Sequence, residues 1–376
     1  MKTVTVLWMV AFTFALLTLG TVAPAAAWVP VVDRGALNDS QEPGSVLVFP
    51  KFRSGTVNTP DQGTIPITEF EISVACPKGS VGTSDCAFQK PVFLRAHWVC
   101  RGDSDTGICQ ESDFDLMTTV NGTLYLTDQS LTSVNLPNAT VIPSPPDGCR
   151  NGGQGYLIVW VTDGSGNPIK FDSLIGDATL RGGSDSTCPT CLSTYNAIPI
   201  QASVYLNIND LTDVNGDGKL QFDGNEYQMV TGTIIGTVRY PGPTFAVSPP
   251  VLQTGRVETL LTLLTLDVNS NLPNDRTFVN LNFYNEGEVL HSTAQNFLCY
   301  QTDRLDDIDS FLTNSFGRKG LVVSEPAQQI RFDGSSVPAT LLGLIENIEH
   351  SNFTRLRWAA HPLYNDSTPV GTTFTP

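Results

Sequence analysis

Short apolar stretches recur along the chain, rich in Val, Ile, Leu, Phe and Thr, and Gly, Pro, Asn and Asp close most of them off. That pattern predicts strands joined by turns. The clearest are Ser45–Phe52, Ile67–Ala75, Val92–Cys100, Leu116–Leu126, Tyr156–Thr162 and Ala197–Ile208. A second series contains Tyr227–Tyr240, Thr277–Tyr284, Leu321–Ser324, Thr340–Ile345 and Arg355–Ala360. In Val92–Cys100 the period is two: Val92, Leu94, Ala96, Trp98 and Cys100 share one face, with Arg95 and His97 on the other. Tyr156–Val161 (YLIVWV) is apolar throughout, as a strand covered on both faces would be. Helical spacing is rare. Leu305, Ile308 and Leu312 predict one short helix within Arg304–Asn314, and Thr259–Leu266 is ambiguous by periodicity alone.

The fold expected is mainly β: antiparallel β-sandwich domains, two in number, with long Gly/Pro/Asn-rich loops and one or two short helices at most. The domains are placed at 28–200 (disulfide-rich) and 201–376 (β-rich, with an acidic loop near its start). One large sandwich with insertions is the alternative.

Residues 1–27 have the form of an export signal. Lys2 precedes an apolar run from Val4 to about Leu19, and the segment closes in Ala25-Ala26-Ala27. No later stretch approaches the roughly 20 apolar residues of a membrane span. The expectation is a secreted, extracellular or cell-envelope protein without a transmembrane segment after signal removal. Its eight cysteines, an even number in an exported chain, then predict disulfides. Spacing favours Cys76–Cys86, Cys100–Cys109 and Cys188–Cys191, leaving Cys149 and Cys299 over.

Composition narrows the partners. Charged residues make up 15% of the chain, against roughly 25% in an average domain. The 37 acidic residues outnumber 21 basic ones for a net charge of −16. Nucleic acid is excluded, since neutralising phosphates takes a basic stripe. Other surface proteins, or further copies of the chain, remain as partners.

The motif with most chemistry in it is DLTDVNGDGKLQFDGNEY, residues 210–227. Asp213, Asn215 and Asp217 alternate in a tight loop, and Gly218 allows a sharp turn. Hard Ca²⁺ takes six to eight oxygen ligands, which such a loop converges on one point. The stretch resembles the calcium loop of EF-hand and dockerin modules over residues 213–226. The resemblance implies side-chain ligation by Asp213, Asn215 and Asp217 and ligation by the Lys219 carbonyl. It departs from that pattern at Gly224, where a bidentate acid is expected, so Asp223 or Glu226 supplies the last carboxylate. The flanks are strand-like where the family has helices. A plain Asp/Asn/Gly-rich hairpin turn is the alternative.

No HExxH or GxSxG motif occurs, and the four histidines are scattered. Trp98, Trp160 and Trp358 fall on apolar faces, as core residues do. The function expected is therefore a non-catalytic, calcium-binding, structural or adhesive role. The alternative is a secreted carbohydrate-binding or carbohydrate-active protein.

Overall fold

The computed structural model of the chain describes residues 42–375 apart from 60–62, 77–85, 88–89, 102–108, 134–135, 151–152, 183–187, 203–216, 249–250, 269–274, 332 and 352–356. The expected signal segment, residues 1–27, lies outside these residues.

The fold is mainly β, built of antiparallel sheets with almost no helix. Sheet I has five strands in the order Ile198–Ile200, Val46–Arg53, Gln154–Thr162, Pro91–Cys100, Gln110–Thr119. Sheet II has six: Cys188–Asn196, Leu174–Gly182, Thr68–Val74, Thr123–Leu126, Ser130–Ser133, Leu136–Val141. Sheet III centres on Arg276–Asn285, Lys319–Ser324 and Val230–Arg239, with Tyr364–Val370 beside the last. In sheet IV, Val251–Leu264 pairs with Gly242–Ser248, Tyr300–Arg304 and Leu342–Ser351, and Arg357–Pro362 follows. A two-stranded ribbon joins Leu220–Phe222 to Thr372–Phe374.

The chain changes sheets after residue 200. Described strands up to Ile200 build sheets I and II and a separate hairpin of Thr56–Thr59 with Gly63–Pro66, and those from Val230 to Val370 build sheets III and IV. The halves are nevertheless not separate bodies, because Gly35–Pro376 forms one compact unit. The reason is visible in the burial. Sheet I turns Leu47, Phe49, Leu157 and Val159 towards sheet II residues such as Phe70, Ile72 and Leu180. It turns Val46, Val48, Ile158 and Trp160 into a second core, shared with Leu220, Phe222, Leu264, Leu342 and Phe374 of the other half. The strand Gln154–Thr162 is thus buried on both faces, as its unbroken apolar run predicted. Sheet IV behaves likewise. Leu261, Leu263 and Ile345 pack in the core of the second half, while Leu260, Leu344 and Ile348 join the core of the first.

The predicted face Val92, Leu94, Ala96, Trp98 and Cys100 is buried in that first core. A bulge refines the picture in Val46–Arg53, where the register to Gln154–Thr162 slips between Phe49 and Phe52. The extra residue flips the alternation, so Phe52 joins Phe49 on the same face. The bulge also carries Lys51, a cation in a strand that is apolar from Val46 to Pro50 and ends in a second cation, Arg53. The helix expected in Arg304–Asn314 is confined to Leu305–Ile308. Leu305 and Leu312 are both buried as the spacing implied. The helix stops because Asp309 is extended and its Oδ1 accepts the Phe311 amide instead of continuing the turn.

Cys76–Cys86 is paired as expected. The expected Cys100–Cys109 bridge is corrected: Cys100 bonds Cys149, and Cys109 bonds Cys299. Cys100 ends a central strand opposite Gly155, which packs against the Cys149 sulfur. Cα atoms of both non-local pairs lie 5.5–6.0 Å apart, inside the normal range. Cys149 and Cys299 are therefore not left over, and Cys109–Cys299 joins the two halves. Cys191 is also disulfide-bonded; the side chain of Cys188, its expected partner, is outside the described set.

Candidate metal centre

The acidic loop runs into the ribbon that closes the shared core. Leu220 and Phe222 are fully buried, pair with Phe374 and Thr372, and fix the segment that follows the loop. Tyr227, also buried, bridges to Ala202. Asp223 and Glu226, which lie between these anchors, are consequently held at defined places. Asp213 and Asn215 lie outside the described residues. Asp217 Oδ1 accepts the Lys219 amide at 3.0 Å, and its Oδ2 accepts Gln221 Nε2 at 3.3 Å. Lys219 Nζ stands 4.0 Å from the same carboxylate. Gly218 takes a φ of +73°, a left-handed turn with open space around it.

The second part is a tight turn. Asp223 Oδ1 accepts the amides of Asn225 and Glu226 at 2.7 and 3.2 Å, and its Oδ2 accepts Asn225 Nδ2 at 3.1 Å. Gly224, at φ +85°, donates its amide to the Tyr227 carbonyl. Glu226 is only 3% exposed, and its Oε2 accepts the Gln221 amide at 3.2 Å. The two candidates for the closing carboxylate therefore differ. Glu226 points inward to the backbone of its own hairpin, whereas Asp223 sits half-buried at the turn. Each carboxylate oxygen has a second lone pair, so these hydrogen bonds and metal ligation are compatible. Among the described residues no three His, Cys, Asp or Glu side chains converge as a metal cluster. The structure thus brings Asp223 and Glu226 into one turn and places Asp217 and Lys219 just before the ribbon.

Ionisable groups that the sequence reading did not single out gather at the junction of the two halves. Lys51 Nζ donates to Glu346 Oε2, and each side chain is 1% exposed. The Tyr195 hydroxyl donates to the Lys51 carbonyl and accepts the Lys51 amide. Burial draws the Lys51 ammonium below the usual lysine value, with Glu346 pulling it back. A Lys inside VLVFPKFR was the available signal.

His97 is 3% exposed between Trp160 and Phe374, at ring distances of 4.8 and 5.8 Å. Among the described residues neither ring nitrogen has a hydrogen-bond partner, and burial holds its pKa down at about 4. On the opposite flank Asp172 Oδ1 accepts Ser45 Oγ and the Ala202 amide, and burial pushes its carboxyl up to about 6.

Trp98 and Trp160 are core residues, as expected. Among the described residues, no helix is long and apolar enough to cross a membrane. No family model matches the chain, and no curated protein matches it significantly, so its chemistry is read from its own residues.

Proposed function

We propose that the protein is an exported, non-catalytic component of the cell envelope or extracellular space with a structural or adhesive role, stabilised by Ca²⁺ at residues 213–226. The observation that carries the reading is the junction: two sandwiches share a buried core, and Cys109–Cys299 closes it covalently. Disulfides form and persist in oxidising compartments. A doubly covered β scaffold whose halves cannot separate is suited to holding a shape and a surface. The partners of such a surface are other envelope proteins or further copies of the chain.

In this reading Asp213, Asn215 and Asp217 ligate calcium through side chains and Lys219 through its carbonyl. Asp223 supplies the last carboxylate, because it sits half-buried at the turn, whereas Glu226 is 3% exposed and turned into its own hairpin. The acids of the loop otherwise repel one another, and the cation offsets that repulsion. Thermal unfolding of the oxidised protein in calcium and in chelator tests the site. At 100 times Kd, calcium stabilises by about 2.7 kcal/mol, a rise of several degrees in midpoint. Superimposable curves remove calcium from the account. Fractionation of the native host's culture tests the location, and recovery in the cytoplasm would overturn it.

A further inference from the structure

The second half carries a cleft of about 390 Å³ between the Val230–Arg239/Lys319–Ser324 pair of sheet III and the Leu342–Ser351/Arg357–Pro362 pair of sheet IV. Its lining reverses the charge of the molecule. In a chain where acids outnumber bases 37 to 21, the described lining of the cleft presents Arg239 and Lys319 against one acid, Glu349, with the His361 ring beside them. Arg239 and Lys319 stand directly opposite each other across an antiparallel pair. Like charges in that position cost stability, and the Arg239–Glu349 ion pair answers only one of them. Lys319 is exposed at the mouth.

Asn347 adds a directed donor. Its Oδ1 accepts the Arg239 amide at 3.2 Å, which fixes the side-chain amide, and Asn347 lines the cleft with an Nδ2 group able to donate. Glu349 is an acceptor suited to hydroxyl groups, and Thr237 serves as either. Val238, Gly320 and Ala359 add apolar surface to the described lining.

We infer that this cleft is a binding site for an acidic sugar residue, a uronate, whose carboxylate lies between Arg239 and Lys319 while its hydroxyls meet Glu349 and Asn347. The cations select the charge, since Arg presents a planar fork to a carboxylate and Lys a point charge. Glu349 selects against bare inorganic anions, which would have to approach it without a hydroxyl to donate. The volume falls within the range of ordinary ligand sites, at the lower end, which suits one or two sugar rings. The site uses no residue of the 213–226 loop, so its failure and that of the calcium reading are separable.

The test is a titration of the full, oxidised protein with sodium D-glucuronate at low ionic strength, followed by calorimetry, with glucose and sodium sulfate as controls. The expected result is saturable glucuronate binding in the millimolar range, with neither control saturating. Lys319→Glu should weaken it at least about tenfold, the scale of one charge-assisted hydrogen bond, without moving the thermal midpoint. Asn347→Asp, which keeps the Oδ1 acceptor, should weaken it likewise. Absence of saturation by glucuronate, equal binding of glucose or sulfate, or undiminished binding by both variants would overturn the assignment.

Discussion

Two acids on one strand, Glu346 and Glu349 of Leu342–Ser351, each meet a cation, and they do so on opposite faces of sheet IV. Glu346 meets Lys51 across the junction, where both side chains are 1% exposed. Glu349 meets Arg239 at the cleft, where exposures are 28% and 41%. The pairs are alike in chemistry and separated by three residues, yet physically they are different objects. At the junction both charges have lost their water, so each depends on the other. At the cleft water and salt screen the pair, and its geometry rather than its energy matters. Burial, not charge, decides what an ion pair does.

Breaking the buried pair should give the largest effect. Lys51→Met or Glu346→Leu alone strands a charge in the junction and should cost about 3–5 kcal/mol in denaturant unfolding. The double variant should recover most of that loss. If each single variant costs under 1 kcal/mol, the junction is wetter than its burial implies and the contrast collapses.

The next effect comes from His97, a second kind of buried base at the junction. Its ring faces Trp160 and Phe374, with Glu111, Asp113 and Arg95 as its charged neighbours. The folded protein keeps the imidazole neutral down to about pH 4, while the unfolded chain takes a proton near 6.5. Between those values the unfolded state binds more protons, so stability falls as pH drops through the window. Asp172 opposes this. Its folded pKa of about 6 lies above the ordinary 3.8, so its contribution is present at low pH and lost as pH rises through that interval. Asp172→Asn keeps the Oδ1 acceptor for Ser45 and Ala202 and should make the acid loss steeper. Adding His97→Leu should flatten it. Midpoints recorded from pH 4 to 7 for the three proteins check the signs.

The smallest effect belongs to the cleft. Arg239→Gln should change stability by no more than about 1 kcal/mol, and less in high salt. A loss as large as that of Lys51→Met would show that exposure does not separate the two pairs.

The sequence carried the parts of this architecture that are local. Alternation in Val92–Cys100 and the unbroken run Tyr156–Val161 announced their buried faces, because side-chain period follows directly from backbone geometry. Cys76–Cys86 was legible because its ten-residue separation closes one loop. Cys100–Cys149 and Cys109–Cys299 were not, since which strand lies beside which is a tertiary fact. Proximity in sequence therefore favoured a bridge that the sheet register forbids. Lys51 was hidden for a related reason: only the bulge makes its position inward-facing without breaking the apolar pattern. Of the candidate metal ligands, the turn at Asp223 and the positive φ at Gly218 and Gly224 match the composition of the loop. The inward orientation of Glu226 depends on the Gln221 amide, which spacing alone does not locate.

The bridge between Cys109 and Cys299 also sets how the molecule bears a load. Tension entering before Cys109 and leaving after Cys299 passes through two sulfur atoms and bypasses the 190-residue span between them. That span, roughly 650 Å of contour if drawn straight, cannot pay out while the bond is intact. Under pull the protein yields only in the segments outside the bridge, before Cys109 and after Cys299, and a reductant adds the bridged span to what can extend.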